Sequence, residues 1–312
     1  MRKIRKEKKE IKKTFNRVAI IGLGVMGASL GMALKKGKIA KNVVGFARRL
    51  ETRKKALACK IVDIACDRIE SAVHGADFIV FCAPVSVIPG MIKSVAGGFL
   101  APGAVLTDVG SVKNKIVVET EKILYGCKSE FIGSHPIAGS EQHGLEAARA
   151  DLYRGAVVAL TPTPCISGRA LQIAREFWRA LGAEVVVVGP EEHDRIIART
   201  SHLPHIIAAL LAGCVGRDHS AEYGKFCGGG FRDTTRIAEG DPELWHDILE
   251  NNTLYLKKEL EAYQKELKKI LGGLKKDKSK IIKKYLKLGV EGRHSLLSNQ
   301  NTGRASRFYS KG

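Results

Sequence analysis

The sequence predicts an α/β protein in which a doubly wound, mostly parallel sheet is followed by an all-α domain. Short apolar runs alternate with helical stretches from Arg17 to about Gly189, and helical periodicity alone follows, to about Leu274. A sheet buried on both faces, with crossover helices between its strands, produces the first pattern. The change in pattern at Gly189 predicts where the sheet domain ends.

Six short runs rich in Val, Ile, Leu and Phe predict the strands of the sheet. Runs of this length, with enough chain between them for a helix, are typical of parallel strands. They cover 18–21, 43–46, 78–82, 105–108, 157–160 and 185–188. We expect each strand to be buried on both faces.

A long helix is predicted near the end of the all-α domain, between 241 and 271. Apolar residues recur there at spacings of 4, 3, 4 and 3, which places them in one stripe. The stripe consists of Leu256, Leu260, Tyr263, Leu267 and Ile270. Such a stripe is typical of a buried helix face or of a seam between two copies, and we expect a homodimer.

The net charge of +20 is concentrated at the two ends of the chain. Residues 1–13 hold +6 and residues 275–312 hold +9, which leaves +5 for the middle. A basic segment binds polyanions without reading their sequence, but it is more often a solvated extension. We therefore expect no specific nucleic-acid partner.

The sequence predicts neither a membrane span, nor a secretion signal, nor a disulfide framework. Apolar runs such as 18–24 are shorter than the roughly 20 residues that span a bilayer, and the basic N-terminus lacks an apolar stretch with a cleavage site. The cysteines lie at 59, 66, 82, 127, 165, 214 and 227. Because their number is odd and no C-x-x-C pair occurs, we expect reduced thiols, no metal, no membrane partner and a cytoplasmic location.

A glycine motif predicts a dinucleotide site at the end of the first strand. It consists of Gly22, Leu23, Gly24, Val25, Met26 and Gly27. The motif follows the strand and opens a helical stretch at 28–36, which is the arrangement of the G-x-G-x-x-G turn in Rossmann-type domains. Its glycines allow a tight turn and a close approach to pyrophosphate, and the helix N-terminus attracts the anion. We expect NAD or NADP as the cofactor.

The end of the second predicted strand bears on which of the two cofactors is used. An acidic residue there holds the ribose 2′-hydroxyl of NAD, whereas arginine suits the 2′-phosphate of NADP. This sequence has Arg48 and Arg49 at that place. The pattern favours NADP, although two solvated arginines at the start of a helix would give the same sequence.

Four polar segments follow the glycine motif. They are DVGSVK at 108–113, GSHPIAGS at 133–140, SHLPH at 201–205 and GGGFRDTTRI at 228–237. The first two are expected just after strands, in the crevice beyond their carboxyl ends where ligands bind. In this order the four segments resemble the prephenate and arogenate dehydrogenase family over roughly 17–270. The resemblance implies a Rossmann-type enzyme that oxidatively decarboxylates prephenate, or arogenate, on the route to tyrosine.

The resemblance also implies roles for particular residues. His135 corresponds to the base that takes the proton of the substrate's ring hydroxyl while hydride leaves the same carbon, and histidine suits a base near neutral pH. Ser111 corresponds to the serine beside that histidine and the cofactor. His205 and Asp233 correspond to a paired histidine and carboxylate near the substrate, in which the carboxylate orients the ring and favours its charged form.

Two further residues are implied to bind the substrate. Arg236 corresponds to the arginine that fixes a substrate carboxylate, because a guanidinium binds a carboxylate through two parallel hydrogen bonds. Ser140 is expected to contact the substrate side chain, and Glu141 is a candidate acceptor for the ammonium of arogenate. A metal between His202 and His205 is not expected, because no nearby set of Glu, Asp or Cys completes a site.

These expectations divide the chain into four parts. They are a basic extension at 1–16, a dinucleotide-binding domain at 17–190, a helical substrate and dimerisation domain at 191–274, and a basic tail at 275–312 whose composition favours disorder.

Three alternatives stay open at this stage. Arogenate carries an amine in place of the side-chain ketone of prephenate, and the sequence does not separate the two substrates. Another Rossmann-type hydroxyacid or imine reductase would share the glycine motif but does not need the segments at 133–140 and 228–237. A polyanion-binding protein would use the basic ends and hold a dinucleotide for structure or sensing.

Overall fold

One mixed sheet organises the N-terminal part of the chain. The structure, a computed structural model, describes residues 15–138, 144–217, 220–274 and 279–298. Its strands are β1 (Phe15–Ile21), β2 (Ala40–Phe46), β3 (Ile64–Cys66), β4 (Phe78–Phe81), β5 (Val105–Asp108), β6 (Glu130–Ile137), β7 (Val157–Thr161) and β8 (Glu184–Val187). Their order is β3-β2-β1-β4-β5-β6-β7-β8. Neighbours are parallel except for β6 and β7, which are antiparallel.

Helices connect the strands, and after β8 every described element of the chain is helical. Between the strands lie α1 (Val25–Gly37), α2 (Leu50–Ala58), α3 (Ile69–Val73), α4 (Ile88–Ala96), α5 (Asn114–Ile123) and α6 (Gly168–Ala180). After β8 follow α7 (Pro190–Ile197), α8 (Leu203–Gly216), α9 (Ser220–Tyr223), α10 (Gly229–Thr235), α11 (Pro242–Glu250), α12 (Thr253–Leu274) and α13 (Ser279–Leu297). A π-helical turn, Ala198–His202, joins α7 to α8. The predicted fold class is confirmed.

Alternate residues of the central strands belong to two cores, one on each face of the sheet. In β1, Val18 and Ile20 lie in one core, Ala19 and Ile21 lie in the other, and all four are fully buried. Because side chains alternate between the faces of a strand, a strand that is apolar at every position needs cover on both sides. The expectation of burial on both faces is wrong for β8, where Val187 is 46% exposed, because β8 is an edge strand with one neighbour.

Two of the described strands, β3 and β6, have no counterpart among the predicted ones. β3 has only three residues, and β6 contains Ser134, His135 and Pro136, which break the run of β-branched residues. β6 runs parallel to β5 as far as Ile132, and from Gly133 onwards it pairs antiparallel with β7. The segment at 133–140, expected after a strand, therefore begins inside one. Its strand still carries it beyond the carboxyl end of β5.

The chain divides into two compact units, residues 1–256 and 257–312. Within the second unit, the hydroxyl of Tyr285 on α13 donates to the carboxylate of Glu266 on α12 over 2.6 Å. Helix α13 lies where a disordered tail was expected. Ile281, Tyr285 and Leu288 recur at spacings of 4 and 3, which is a helical pattern. Because lysines lie between them, the segment was interpreted from its charge and not from this pattern.

One helical run meets the length and composition of a membrane-spanning helix. It is Pro190–Gly216, formed by α7, the π turn and α8, and 28% of its most apolar window is buried. No such run is expected from the short β-rich segments of the sequence, and the apolar sequence of α8 accounts for the difference. Length and composition alone do not distinguish such a helix from one that packs within a protein.

Candidate active site

The glycine motif forms a tight turn between β1 and α1. Gly22 has φ of +108°, and a Cβ atom there would lie 2.1 Å from the carbonyl oxygen of Cys82. A Cβ atom on Gly27 would lie 1.9 Å from the carbonyl oxygen of Gly22. Gly24 differs, because its Cβ atom would meet nothing within 4 Å. Two glycines are therefore needed to build the turn, and the third leaves open space at the start of α1.

A cleft of about 680 Å³ opens in front of this turn. The N-terminus of α1 faces it at Gly24, with backbone N–H groups that carry partial positive charge. Arg48 and Arg49, after β2, form another part of its wall. The cradle of glycines, the helix N-terminus and the two cations fit the pyrophosphate and ribose of a nicotinamide dinucleotide.

The segment that begins at Gly144 forms one side of the cleft. Gly144, Leu145 and Glu146 line it, and the carboxylate of Glu146 accepts a hydrogen bond of 2.5 Å from Nζ of Lys55. Further along, the hydroxyl of Tyr153 donates to the carbonyl oxygen of Met26 in α1 over 2.8 Å. This part of the chain is thus joined to α2 through Lys55 and to α1 through Met26.

A buried ion pair fixes the loop after β5. The side chains of Asp108 and Lys113 are fully buried and in contact. The same carboxylate accepts hydrogen bonds from the backbone of Gly110 over 2.9 Å and of Ser134 over 3.0 Å. Nζ of Lys113 also donates to the carbonyl oxygen of Ser134 over 3.0 Å. The loop that carries Ser111 is therefore fastened to β6 next to His135.

His135 lies in β6, at the edge of the sheet that is formed by the carboxyl ends of the parallel strands, and beyond the end of β5. From β1 the sheet order leads through β4 and β5 to β6, which is three strand spacings or on the order of 14 Å. His135 does not line the cleft described above, so it stands further along the same edge.

A chain of hydrogen bonds runs from His135 into α7. Nδ1 of His135 lies 2.9 Å from Nε2 of His193, and Nδ1 of His193 lies 2.8 Å from Oδ1 of Asp194. The Asp194 carboxylate also accepts the backbone N–H groups of Lys113 over 2.7 Å and Asn114 over 2.8 Å. These two groups begin α5, so Asp194 caps that helix while it holds His193.

The environment of His135 keeps its ring neutral. Burial lowers the pKa of His135 well below its ordinary value, and His193, Lys113 and His202 lower the pKa further. Burial acts in this direction because it penalises the charged form of an imidazole. At neutral pH the ring is therefore uncharged, and one of its nitrogens carries no proton.

Two more histidines and a tryptophan extend the site along α8 and α11. Nδ1 of His202 lies 3.1 Å from Nδ2 of Asn252, and burial lowers the pKa of His202 to about 4. The ring of His205 stacks on Trp245 with centroids 3.5 Å apart and an interplanar angle of 15°. Gly240 contacts both rings, since a Cβ atom there would lie 2.4 Å from Nε1 of Trp245.

The predicted substrate residues differ in how the structure places them. Ser111 is half-buried in the loop fixed by the ion pair, and Arg236 is exposed at the end of α10. Ser140 and Glu141 lie outside the described residues. These residues keep their predicted roles, which rest on the resemblance.

The expected pairing of His205 with Asp233 is different in the structure. Among the described residues no hydrogen bond or ion pair joins the two, and Nδ1 of His205 is buried without a hydrogen-bond partner. Asp233 is exposed on α10. Burial lowers the pKa of His205, which favours its neutral form. The ring packs on Trp245 and not on a carboxylate.

The sequence analysis missed His193, Asp194, Trp245 and Asn252. His193 and Asp194 are 2% exposed, and they are adjacent polar residues in a helix that follows Gly189. Two adjacent buried polar residues are unusual for a core helix, but their burial is a property of the fold and gives no signal in the sequence. Trp245 and Asn252 carry no motif, so only the fold brings them to His205 and His202.

Together these features define the class of protein. A glycine cradle at a helix N-terminus faces a cleft that suits a dinucleotide, and a neutral buried histidine stands along the same edge of the sheet. The carboxyl edge of a parallel sheet is where such domains bind their cofactor. The fold and the site define a nicotinamide-dependent dehydrogenase.

Comparison with known families narrows this class. Residues 30–187 match the family model described as prephenate dehydrogenase, nucleotide-binding domain. Residues 189–288 match the model described as prephenate dehydrogenase, dimerization domain. The chain belongs to the prephenate dehydrogenase family.

Individual relatives agree with this family. The prephenate dehydrogenase of Bacillus subtilis is 31% identical over 297 residues, which are 94% of this chain and 79% of the relative. The crystal structure of prephenate dehydrogenase from A. aeolicus, in complex with hydroxyphenyl propionate and NAD+, is 32% identical with a TM-score of 0.83, over 90% of this chain and 98% of that one. Synechocystis arogenate dehydrogenase is 28% identical with a TM-score of 0.77, over 90% of this chain and 99% of that one.

Proposed function

We propose that this chain oxidises and decarboxylates prephenate to 4-hydroxyphenylpyruvate, with His135 as the base. The observation that carries the proposal is the neutral, buried His135 on the same sheet edge as the glycine cradle. The A. aeolicus relative supports the substrate class, since its structure holds hydroxyphenyl propionate together with NAD+. Hydroxyphenyl propionate has the phenol ring and three-carbon acid side chain of the proposed product.

His135 acts on the ring hydroxyl of the substrate. Its neutral imidazole accepts the hydroxyl proton as the C4–H bond breaks, and the C4–O bond becomes a carbonyl. A bound nicotinamide would supply the acceptor for the hydride that leaves C4. The C1–carboxylate bond then breaks, CO2 leaves with its bond electrons remaining in the ring, and His135 returns the proton to the phenol oxygen. General base catalysis of this kind contributes about 10²- to 10⁴-fold.

The proposed substrate has two carboxylates, a ring and a side chain that the remaining predicted residues are proposed to bind. Arg236, exposed at the end of α10, is the proposed partner of one carboxylate, because its planar guanidinium matches the two oxygens. The hydroxyl of Ser111, beside His135, is proposed to donate a hydrogen bond in the site. His205, stacked on Trp245, supplies a neutral ring near the same helices. Ser140 is proposed as a contact to the substrate side chain.

Prephenate is proposed over arogenate. The curated relatives that cover most of this chain include prephenate dehydrogenases at 31% and 32% identity. Arogenate would add an ammonium, which requires a nearby acceptor, and the candidate Glu141 lies outside the described residues. The Synechocystis relative, an arogenate dehydrogenase, makes arogenate the second candidate.

The proposed cofactor is NADP. Arg48 and Arg49 line the cleft after β2, where a 2′-phosphate would lie, and arginine binds phosphate through paired hydrogen bonds. Glu51, in the first turn of α2, also lines the cleft. Its carboxylate is the group that would favour NAD, so a direct comparison of the two cofactors tests the proposal.

A homodimer is the proposed assembly. The matched domain at 189–288 is described as a dimerization domain. In that range Leu210 on α8 is 57% exposed, and Tyr263 and Leu267 on α12 are 43% and 45% exposed. Apolar side chains exposed in a single chain are typical of a surface that a second copy covers. Sedimentation velocity should give about twice the mass of the 33.9 kDa chain.

The substrate and cofactor proposals are tested together by following the absorbance of the reduced nicotinamide. Four reactions are run, with prephenate or arogenate and with NAD+ or NADP+. We expect the fastest turnover with prephenate and NADP+. Faster turnover with arogenate would overturn the substrate proposal, faster turnover with NAD+ would overturn the cofactor proposal, and no turnover in any reaction would overturn both.

A further inference from the structure

The hydrogen bonds around His193 determine which nitrogen of each ring carries the proton. The carboxylate of Asp194 accepts two backbone N–H groups at the start of α5, from Lys113 and Asn114. A charged carboxylate can only accept hydrogen bonds. Nδ1 of His193, 2.8 Å away, must therefore be the donor.

The assignment passes from His193 to His135. A neutral imidazole has one donor nitrogen and one acceptor nitrogen. With His193 neutral, its Nε2 is the acceptor once Nδ1 donates to Asp194. Nε2 of His193 lies 2.9 Å from Nδ1 of His135. Nδ1 of His135 must then carry the proton of that ring. The free lone pair of His135 is left on Nε2.

We propose that His193 is a positioning residue that fixes His135 in the tautomer with a proton on Nδ1 and a bare Nε2. This proposal rests on the proposed role of His135 as the base. Without His193, the His135 ring is free to hold its proton on Nε2 or to rotate, so a bare Nε2 is no longer fixed towards the substrate hydroxyl. His193 itself does not touch the reacting atoms.

Other features of the structure support a fixed geometry at His193. His193 is 2% exposed and Asp194 is 2% exposed, so water does not compete for their hydrogen bonds. The rings of His135 and His193 meet edge to face at 74° with centroids 5.1 Å apart. The backbone carbonyl of Asp194 also accepts from Nδ2 of Asn252 over 2.9 Å. The chain from α5 to His135 is thus held at both ends.

The charged and titratable groups that face His135 belong to several elements. They are His193 and Asp194 from α7, Lys113 from the loop before α5 with its partner Asp108, and His202 from the π turn. Lys113 and His202 both lower the pKa of His135, which disfavours the charged ring that carries a proton on each nitrogen. Asp194 reaches His135 only through His193, so removal of His193 changes the hydrogen bond at Nδ1 without removing the other groups.

The test compares two substitutions of His193. His193→Leu fills the space without an acceptor, whereas His193→Gln offers a carbonyl oxygen to Nδ1 of His135 and an N–H donor to Asp194. Asp194 is left intact because it also caps α5. We expect His193→Leu to lower kcat at least about 10-fold with KM for prephenate little changed. His193→Gln should restore most of kcat.

A spectroscopic readout tests the tautomer directly. In ¹⁵N-histidine-labelled protein, with His135→Asn used to assign the resonances, the parent should show a protonated Nδ1 and a bare Nε2 on His135. His193→Leu should shift this pattern towards protonated Nε2. Thermal unfolding and NADP+ binding of both variants establish that each is folded and holds cofactor.

Each outcome bears on one proposal. Parent-like kcat in a folded His193→Leu, equal losses in folded Leu and Gln variants, or a protonated Nε2 in the parent would each overturn the positioning role. A parent enzyme that turns over neither prephenate nor arogenate would instead overturn the proposed function, and the ¹⁵N pattern would still decide the tautomer.

Discussion

Gly24→Ala separates the binding function of the glycine motif from its role in folding. Gly24 has φ of −76°, a value that any residue adopts, and its Cβ atom would meet nothing within 4 Å. The added methyl group therefore enters open space in the cleft and not the protein core. Loss of a favourable cap residue at the start of α1 should lower the free energy of unfolding by no more than about 1 kcal/mol.

Binding of the cofactor should fall much more. The methyl group stands at the helix N-terminus, where the pyrophosphate must approach the backbone N–H groups. Loss of one hydrogen bond to a charged group costs roughly 1.5–3 kcal/mol, which corresponds to about 10- to 150-fold in the dissociation constant. Isothermal titration of NAD+ and NADP+ into both proteins measures the change.

Gly27→Ala is the matched control. Its Cβ atom would lie 1.9 Å from the carbonyl oxygen of Gly22 and 3.1 Å from a methyl group of Ile20. Overpacking of this kind costs about 1–3 kcal/mol or more, so this variant should lose stability in urea denaturation. Parent affinity for both cofactors in Gly24→Ala, or stability loss equal to that of Gly27→Ala, would refute the reasoning.

Three further predictions concern charge. Replacing Arg48 and Arg49 together by Gln should weaken NADP+ binding at least about 10-fold while NAD+ binding changes little, and an equal loss for both cofactors would contradict the proposed 2′-phosphate contact. Lys113→Met should leave Asp108 buried without its partner and lower the free energy of unfolding by roughly 3–5 kcal/mol, and a loss below about 1 kcal/mol in urea would contradict this. The pKa of His202 is about 4 in the folded protein, so the folded state binds fewer protons than the unfolded state. Stability from this group is complete above about pH 6.5 and is lost as the pH falls towards 4, by up to about 3 kcal/mol. His202→Asn should flatten the dependence of unfolding free energy on pH in this window, and an unchanged slope would refute the assignment.

The sequence predicts those parts of the fold that depend on local pattern. All six predicted strands are present as β1, β2, β4, β5, β7 and β8. β6 was not predicted because its register is set by pairing with β5 and β7, and Pro136 and His135 are poor strand signals on their own. β8 was predicted as buried, but its position at the sheet edge is a property of topology and not of composition.

The candidate site also has parts that the local sequence pattern predicts and parts that it does not. Gly22, Gly24 and Gly27 are adjacent in sequence, and their spacing predicts the turn that the structure has. His193 meets His135 across 58 positions of the chain, and no local pattern signals that contact. The stacking of Trp245 on His205 likewise depends on how α8 and α11 pack. Contacts of this kind follow from tertiary structure, which one sequence alone does not reveal.

The base assignment is tested most directly with His135→Asn. Its kcat for prephenate and its dissociation constant for hydroxyphenyl propionate are measured beside those of the parent, with cofactor at saturation. Loss of a general base should lower kcat by about 10²- to 10⁴-fold, while the dissociation constant stays within about threefold. Parent-level turnover in a folded His135→Asn would contradict the account.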